Sequence, residues 1–331
     1  MYATLDRARL RTGELLEVGL VLGPEEERAP AVRDLLGHKG GEWQHHIASA
    51  LAGGADSLET RFYVGALGEE LVANVMTVES LGVGILGHVF TRPEHRRKGI
   101  CQTLLGAALA DFRARGGRSL LLGTGFESPP YWIYHGFGFR SVRGGFMRYT
   151  VGHPGEFAAR WFAPRPASVV EARWEHWPMV AQVASFPGAA FLRSAAWGVF
   201  GVANLEGPYV SFLSKRETDE RHRAVMLAAE DGAVAGCATL VPAGSWPDRM
   251  TWPGVGLLDA FSHPAFADRL PDLVRAVLPG EAKVIAYTDA RRTPRSDALE
   301  AAGMVREGCL TGFLRAGDTV HDVWLYGTPS G

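Results

Sequence analysis

The stretch His88-Val89-Phe90-Thr91-Arg92-Pro93-Glu94-His95-Arg96-Arg97-Lys98-Gly99-Ile100-Cys101-Gln102-Thr103-Leu104-Leu105 decides how the chain is read. It runs as a strand, a tight basic turn and the opening turns of a helix. Arg96, Arg97 and Lys98 stand in a row and Gly99 follows. Apolar residues then recur at Ile100, Leu104, Leu105, Ala108, Leu109 and Phe112, the spacing of one helix face. The first N–H groups of a helix have no intrahelical partner, and its dipole adds a favourable field there. Such a turn is an anion site before any side chain is counted. Basic residues on a turn are otherwise a solvated face, so the surrounding chain has to decide.

Upstream, Gly82 to Thr91 reads as a strand whose glycines at 82, 84 and 87 mark a bulge or a close backbone approach. Arg61 to Leu67 and Leu71 to Val78 form a hairpin around Gly68-Glu69-Glu70. Leu15 to Val21 reads as a strand, and Glu25 to Leu36 and Glu42 to Leu51 as helices. Downstream, the helix from Ile100 to Arg113 stops at Gly116-Gly117, and Ser119 to Leu122 is a short buried strand. Strand, helix and strand in that order imply a parallel crossover. Pro129-Pro130 open a short helix through Tyr134, and Phe146 to Val151 is a final strand.

A stretch rich in Gly, Pro and Arg, 152–166, divides the chain. Beyond it the same order of elements returns. Val169 to Trp174 reads as a strand and His176 to Ala184 as a helix. Arg223 to Ala229 and Val234 to Val241 form a hairpin. Val255 to Phe261 is a strand, Ala267 to Leu278 a helix, Lys283 to Thr288 a strand and Ser296 to Ala302 a helix. Met304 to Leu314 and Val320 to Tyr326 close the series as strands. The expected domains are 1–155 and 165–331, both mixed α/β (α+β).

Bulk properties narrow the function classes. The chain has 331 residues, more than one core usually serves, so two domains are the default. A net charge of −2 and the lack of a basic run outside 95–98 disfavour nucleic-acid and membrane-surface partners. Three cysteines, Cys101, Cys237 and Cys309, have no metal-ligand spacing and suit a reducing, cytoplasmic compartment. No apolar run has transmembrane length. There is no phosphate-loop motif, no dinucleotide Gly-x-Gly-x-x-Gly after a strand and no zinc motif, so ATPase, dehydrogenase and metal chemistry are not expected.

The element order, together with Arg96-Arg97-Lys98-Gly99-Ile100-Cys101, resembles the GNAT superfamily of acyl-CoA-dependent N-acyltransferases. Its turn has Arg or Gln, two residues, Gly, one residue, then Gly or Ala. Cys101 departs from the last position but is small. The resemblance implies acetyl-CoA as co-substrate. Its pyrophosphate would lie on the 96–102 turn, touching Arg96, Arg97, Lys98, Gly99, Ile100, Cys101 and Gln102. Its pantetheine arm would lie along Val89, Phe90 and Thr91. Tyr134-His135-Gly136-Phe137 matches a second family pattern, in which the tyrosine protonates the departing thiolate. The 93–99 turn with Ile133-Tyr134 and Phe137-Gly138-Phe139 is most similar to the enhanced-intracellular-survival type of aminoglycoside acetyltransferase. That type carries a second, degenerate GNAT half and a third domain for which this chain is too short. Its C-terminal carboxylate base is therefore not carried to Gly331.

In the second half, Ala267, Leu270 and Asp272 stand where the turn's Arg or Gln, Gly and final small residue would be. Pro271 lacks an N–H, Asp268 and Asp272 repel phosphate, and Leu299 replaces the tyrosine. The expectation is two tandem GNAT-like domains with one cofactor site. The base that would deprotonate the amine is open: Glu79, His88 and Glu127 are candidates, and His45 and His46 lie on a helix that often lines the acceptor cleft in this superfamily. Cys101 as a nucleophile would need a lowered thiol pKa, for which a helix N-terminus and basic neighbours argue, but no His/Asp partner pattern is evident and a tolerated small residue is the simpler reading. The function expected is acetyl transfer from acetyl-CoA to a primary amine of a small molecule, by a monomer acting as a pseudo-dimer or by a homo-oligomer. A non-catalytic acyl-CoA-binding protein and an acyltransferase acting on a protein amine stay open as alternatives.

Overall fold

A computed structural model of the chain describes residues 1–243, 254–280, 282–316 and 318–329. The chain divides into two compact units. One is Met1–Phe157 with Trp177–Met179, the other Ala158–His176 with Val180–Gly331. The terminal Gly331 lies outside the described residues.

In chain order the first unit has β1 (Tyr2–Arg9), β2 (Leu15–Leu22), α1 (Ala29–Leu35), α2 (Gly41–Ala52), β3 (Glu59–Leu67), β4 (Glu70–Ser80) and β5 (Val83–Thr91). After a 3-10 turn at Pro93–His95 come α3 (Ile100–Ala114), β6 (Ser119–Gly123), α4 (Pro129–Gly136), β7 (Arg140–Arg143) and β8 (Phe146–Thr150). These strands form one sheet in the order β1-β2-β3-β4-β5-β6-β8-β7. All neighbours are antiparallel except β5 and β6. One face of the sheet, with Leu16, Val18, Tyr63, Val75 and Leu86, packs against the predicted apolar face of α3 and against Tyr131 and Tyr134 of α4. Ile100, Leu104, Leu105, Leu109 and Phe112 are almost wholly buried, each worth about 1.5–3 kcal/mol relative to exposure. The other face meets α2: Trp43 stands edge-on to His88 with ring centres 5.0 Å apart, and Thr60 Oγ1 lies 3.3 Å from His46 Nε2.

Next in the chain come α5 (Pro154–Trp161), β9 (Ala167–Glu171), α6 (His176–Ala184), β10 (Leu192–Ser194), β11 (Val199–Phe200), α7 (Glu206–Arg216), β12 (Arg223–Ala229), β13 (Val234–Pro242) and β14 (Val255–Ser262). A 3-10 turn at Pro264–Arg269 leads into α8 (Leu270–Val277), β15 (Lys283–Asp289), α9 (Pro294–Ala301), β16 (Val305–Ala316) and β17 (Thr319–Gly327). Apart from the small β10–β11 pair, the strands of the second unit form one sheet in the order β16-β17-β15-β14-β13-β12-β9. It repeats the first sheet from β7 to β2 strand for strand. Its one parallel pair, β14–β15, takes the place of β5–β6.

Several elements differ from the sequence reading. The stretch 152–166 is not a bare linker, because α5 lies within it and buries Phe157 and Trp161. The helix expected from Glu25 begins at Ala29, with proline at its start. The helix expected from Ala267 begins at Leu270, after non-helical backbone at Phe266. Strands β1 and β7, the β10–β11 pair and helix α7 carried no sequence assignment.

Candidate active site

The site is built where β5 leaves β6. The two strands pair only from Val83 to Ile85 against Ser119 to Leu121, so β5 from Leu86 to Thr91 has no β6 partner. On its other side β5 pairs with β4, but between Met76–Gly87 and Asn74–Phe90 it has two residues, His88 and Val89, opposite the single Val75. That is a bulge, and His88 takes φ +47 within it. Asn74 closes the bulge by donating from Nδ2 to the His88 carbonyl at 2.9 Å, while its own Oδ1 is buried without a partner. Val89 turns to the α3 side and packs on that core, and Phe90 turns to the other face, 4.3 Å from the His38 ring.

The turn that follows exposes main-chain donors. Arg97 has φ +64 and Gly99, at the N-cap of α3, φ +94. Two left-handed residues in three bend the chain into a concavity of N–H groups. Among the described residues, Arg96 N–H bonds the Pro93 carbonyl and Thr103 N–H the Gly99 carbonyl, but the six N–H groups from Arg97 to Gln102 make no main-chain hydrogen bond. A Cβ at Gly99 would meet nothing within 4 Å. These features fit a bound pyrophosphate. The side chains contribute less than their charges suggest. Arg96 folds back to the Thr91 carbonyl at 3.0 Å, and Lys98 pairs with Glu14 at 2.6 Å. Arg97 is exposed and makes no ion pair among the described residues.

The other sequence candidates fall in different places. Tyr134, near the end of α4, is 8% exposed and belongs to the core that holds Ile100, with Val89 and Cys101 packed at its margin. Helix α4 is fixed at its start by Ser128 Oγ, which accepts from Tyr131 N–H, and by Pro129. His88 is buried, its Nε2 has no partner, and burial pushes the imidazole down to about 3, with His46, Lys39 and His38 adding repulsion. It is neutral at physiological pH. His46 is wholly buried and also held near 3, by burial and then by His45; His45 is half-buried on the same helix. Glu127 is exposed, at φ +55 just before α4.

Glu79 lies at the wrong end of the sheet. It faces Gly84 at the start of β5, roughly 25 Å of strand away from Thr91. It accepts from Thr77 at 2.6 Å and pairs with Arg115, just past the C-terminus of α3, at 2.8 Å. Arg115 and Arg61 share Asp111 and Glu59, and Tyr63 donates to Asp111 at 2.6 Å. Glu79→Gln is therefore expected to lower stability by about 2 kcal/mol, the worth of a charged hydrogen bond, and to leave coenzyme A affinity unchanged. Thermal melts and a binding titration on the same variant check both halves. For Cys101 the expected lowering is reversed: burial pushes its thiol up to about 11, because the side chain points into the core rather than at the turn's donors. Among the described residues, Glu70, Glu94 and His95 bring possible ligand atoms within 4.8 Å of one another, the two acids exposed.

Residues 59–142 match the family model of the acetyltransferase (GNAT) domain. The match spans β3 to β7, with the bulge, the turn and Tyr134 inside it, and supports an acyltransferase. Three solved structures similar to the chain have low identity. An N-acetyltransferase of Staphylococcus aureus is 16% identical over 49% of this chain and 97% of its own, with a TM-score of 0.37. A ribosomal-protein-alanine N-acetyltransferase of Brucella melitensis is 16% identical over 49% and 98%, also at 0.37. A Salmonella typhimurium protein described with its cofactor acetyl-CoA is 13% identical over 50% and 95%, at 0.38. No curated protein sequence matches the chain.

Among its described residues, the second unit lacks the two devices of the first unit's site. Strands β13 and β14 pair without a register break from Gly236–Ser262 to Pro242–Gly256. No described residue from Val255 to Ala302 has a positive φ, and Asp272 at the start of α8 is paired with Arg269 at 2.7 Å. Of the residues that shape the first site, Asn74 escaped the sequence reading. An asparagine inside the apolar run Leu71 to Val78 was the available signal, since a polar group in a buried strand needs a partner.

Proposed function

We propose that the protein is an N-acetyltransferase that moves an acetyl group from acetyl-CoA to the primary amine of a small molecule by direct attack. The observation that carries this reading is the run of six unbonded N–H groups, Arg97 to Gln102, beside a strand that has parted from its parallel neighbour. The N–H groups would receive the pyrophosphate oxygens. The unpaired edge of β5, Val89 to Thr91, offers strand-like pairing to the pantetheine arm, and Ile100 and Cys101 form the apolar wall behind it. A main-chain N–H at the bulge holds the thioester carbonyl oxygen as negative charge builds on it. The amine's lone pair forms the new C–N bond, the C–S bond breaks, Tyr134 gives its proton to the sulfur, and the proton shed by the nitrogen passes through water to restore the tyrosine. His88, neutral and buried, shapes the bulge and takes no proton from the amine. Glu79 and Glu127 have no part in this scheme.

The second unit is read as a tandem GNAT-like repeat without a cofactor site, as in the enhanced-intracellular-survival type. The matching strand order and the unbroken β13–β14 register support this.

The test is thiol release from acetyl-CoA with a panel of small amines, run beside a coenzyme A titration. Gly99→Glu sets a carboxylate among the N–H groups and is expected to weaken coenzyme A by about 100-fold or more, roughly 2.8 kcal/mol. Gly116→Ala is the control. Gly116 has φ +80 at the other end of α3 and equally open space, so it carries similar backbone strain and should leave affinity unchanged. Equal affinities in wild type and Gly99→Glu would remove the cofactor site from this turn. Tight binding with no turnover of any amine would leave a binding protein instead.

A further inference from the structure

In the second unit, the gap where β14 and β15 diverge is closed by the chain itself. These strands pair only from Val255 to Leu258 against Lys283 to Ala286, as β5 and β6 do over three residues. Across the opening lies the segment 191–196, which contains β10. Asp289 of β15 accepts the N–H groups of Phe191 and Leu192 at 2.8 Å. Asp259 of β14 accepts Ser194 Oγ at 2.9 Å and the N–H groups of Ala195 and Ala196 at 3.0 and 2.8 Å. A short strand held by two carboxylates thus fills a groove that the first unit leaves open.

The plug brings a buried arginine that has no counter-charge. Arg193 is 2% exposed. Its Nη atoms donate only to carbonyls: Ala184, Phe186 and Gly201 from one, Val183 from the other. Its guanidinium lies 4.7 Å from the centre of the Phe261 ring, and its Nε has no partner. Arg295, equally buried, pairs with Asp259 at 2.7 Å, and its Nε too has no partner. The Asp259 carboxylate is therefore already shared by Arg295 and three donors of the plug, and the Arg193 charge is left over. A buried cation in this state is expensive unless an anion joins it.

There is room for one. Arg193 and Arg295 line a single cavity with Gly188, Phe261, Ser262 and Pro264, and its volume is about 20 Å³, enough for one water-sized centre. A Cβ at Gly188 would stand 3.0, 3.1 and 3.4 Å from Arg193 Nε, Cδ and Cζ, so the glycine leaves open the space beside the guanidinium. We propose that the cavity between Gly188, Arg193 and Arg295 binds a compact monovalent anion of chloride size. The room for a single centre excludes phosphate, and the Phe261 and Pro264 walls suit a weakly hydrated ion. The cavity lies at the end of β14 and the 3-10 turn after it, where the first unit has its bulge and its basic turn. The inference does not depend on the acetyl-transfer reading.

The test compares thermal unfolding in chloride and in gluconate at matched ionic strength, with bromide anomalous scattering from crystals of the whole chain. A ligand well above its dissociation constant raises Tm by several degrees in a chain of this size, here roughly 3 °C in favour of chloride. Bromide should give an anomalous peak in the cavity beside Arg193 Nε. Gly188→Ala, which fills part of the cavity beside Arg193, should abolish both the Tm difference and the peak. Equal Tm in the two salts with no bromide peak would mean that the cavity holds only water, and the proposal fails. It fails equally if Gly188→Ala keeps the chloride dependence.

Discussion

Tyr134→Phe is expected to lower kcat for acetyl transfer by roughly 10²- to 10³-fold while coenzyme A affinity stays the same. The variant removes one oxygen and keeps the ring, which is nine-tenths buried and meets Phe139 in a T-shaped contact with centres 6.0 Å apart. Packing of α4 on the α3 core is thereby retained, so a loss of rate cannot come from a collapsed helix. The test has a second arm, because a proton donor matters in proportion to the basicity of what leaves. With acetyl thioesters of progressively more acidic thiols, the deficit of Tyr134→Phe should shrink toward nothing. A uniform deficit across leaving groups would make the tyrosine a positioning group. A loss below about threefold would leave the general acid unassigned.

Strong periodicity made much of the fold legible. Helix α3 announced itself through six apolar residues on one face and a glycine beyond each end, and β3 to β6 through apolar runs parted by glycine. The first strand, Tyr2–Arg9, was hidden because it is an edge: one side is unpaired, and Asp6, Arg7 and Arg9 serve solvent rather than a core. Helix α7 was hidden by Gly207 and Pro208 in its first turn, residues that read as a loop unless the buried Tyr209, Val210, Phe212 and Leu213 are weighed together. The 152–166 stretch misled in the same way, since Pro154 and Gly155 open helix α5 rather than replace it.

The site was legible where main chain and glycine make it, and less so where side chains compete for partners. Nothing in Lys98 or Arg96 tells that Glu14 and the Thr91 carbonyl already hold them. The Glu79 error was avoidable. It stands at the end of β4, and an antiparallel hairpin returns from that end, so the loop after β5 must lie at the opposite edge. At Cys101 the simpler reading of a tolerated small residue fits: the helix field and the cations act on the N–H side of the turn, whereas the first-turn side chain packs against the core and loses water. His88 is the case where a local rule fails at a site of interest. A β-strand residue with positive φ is strained unless it is Gly, Asn, Asp or His, and the bulge that requires it is what opens the strand edge.

Acid should destabilise the first unit well before its carboxylates titrate. His46 and His88 are both moved from an ordinary value near 6.5 to about 3 by burial. The native state keeps both neutral, while in the unfolded chain each takes up a proton below about 6.5. Between those limits the unfolded state binds more protons, so stability is complete above pH 6.5 and falls as pH is lowered toward 3. Each histidine contributes a slope of about 1.4 kcal/mol per pH unit. Burial lowers His38 of the same unit in the same direction. The lowered carboxylates of that unit, Glu14, Glu17 and Glu25 among them, lose their contribution only below their ordinary 4.5. The window from pH 6.5 to 4.5 therefore isolates the imidazoles. Denaturant unfolding across it should show stability dropping by a few kcal/mol. His46→Gln should remove a large share of the slope, and so should His88→Asn, which keeps a residue tolerant of the left-handed backbone at the bulge. A stability that is flat from pH 6.5 to 4.5 would mean that both imidazoles reach solvent. His88 would then be able to carry a proton from the amine as a true base.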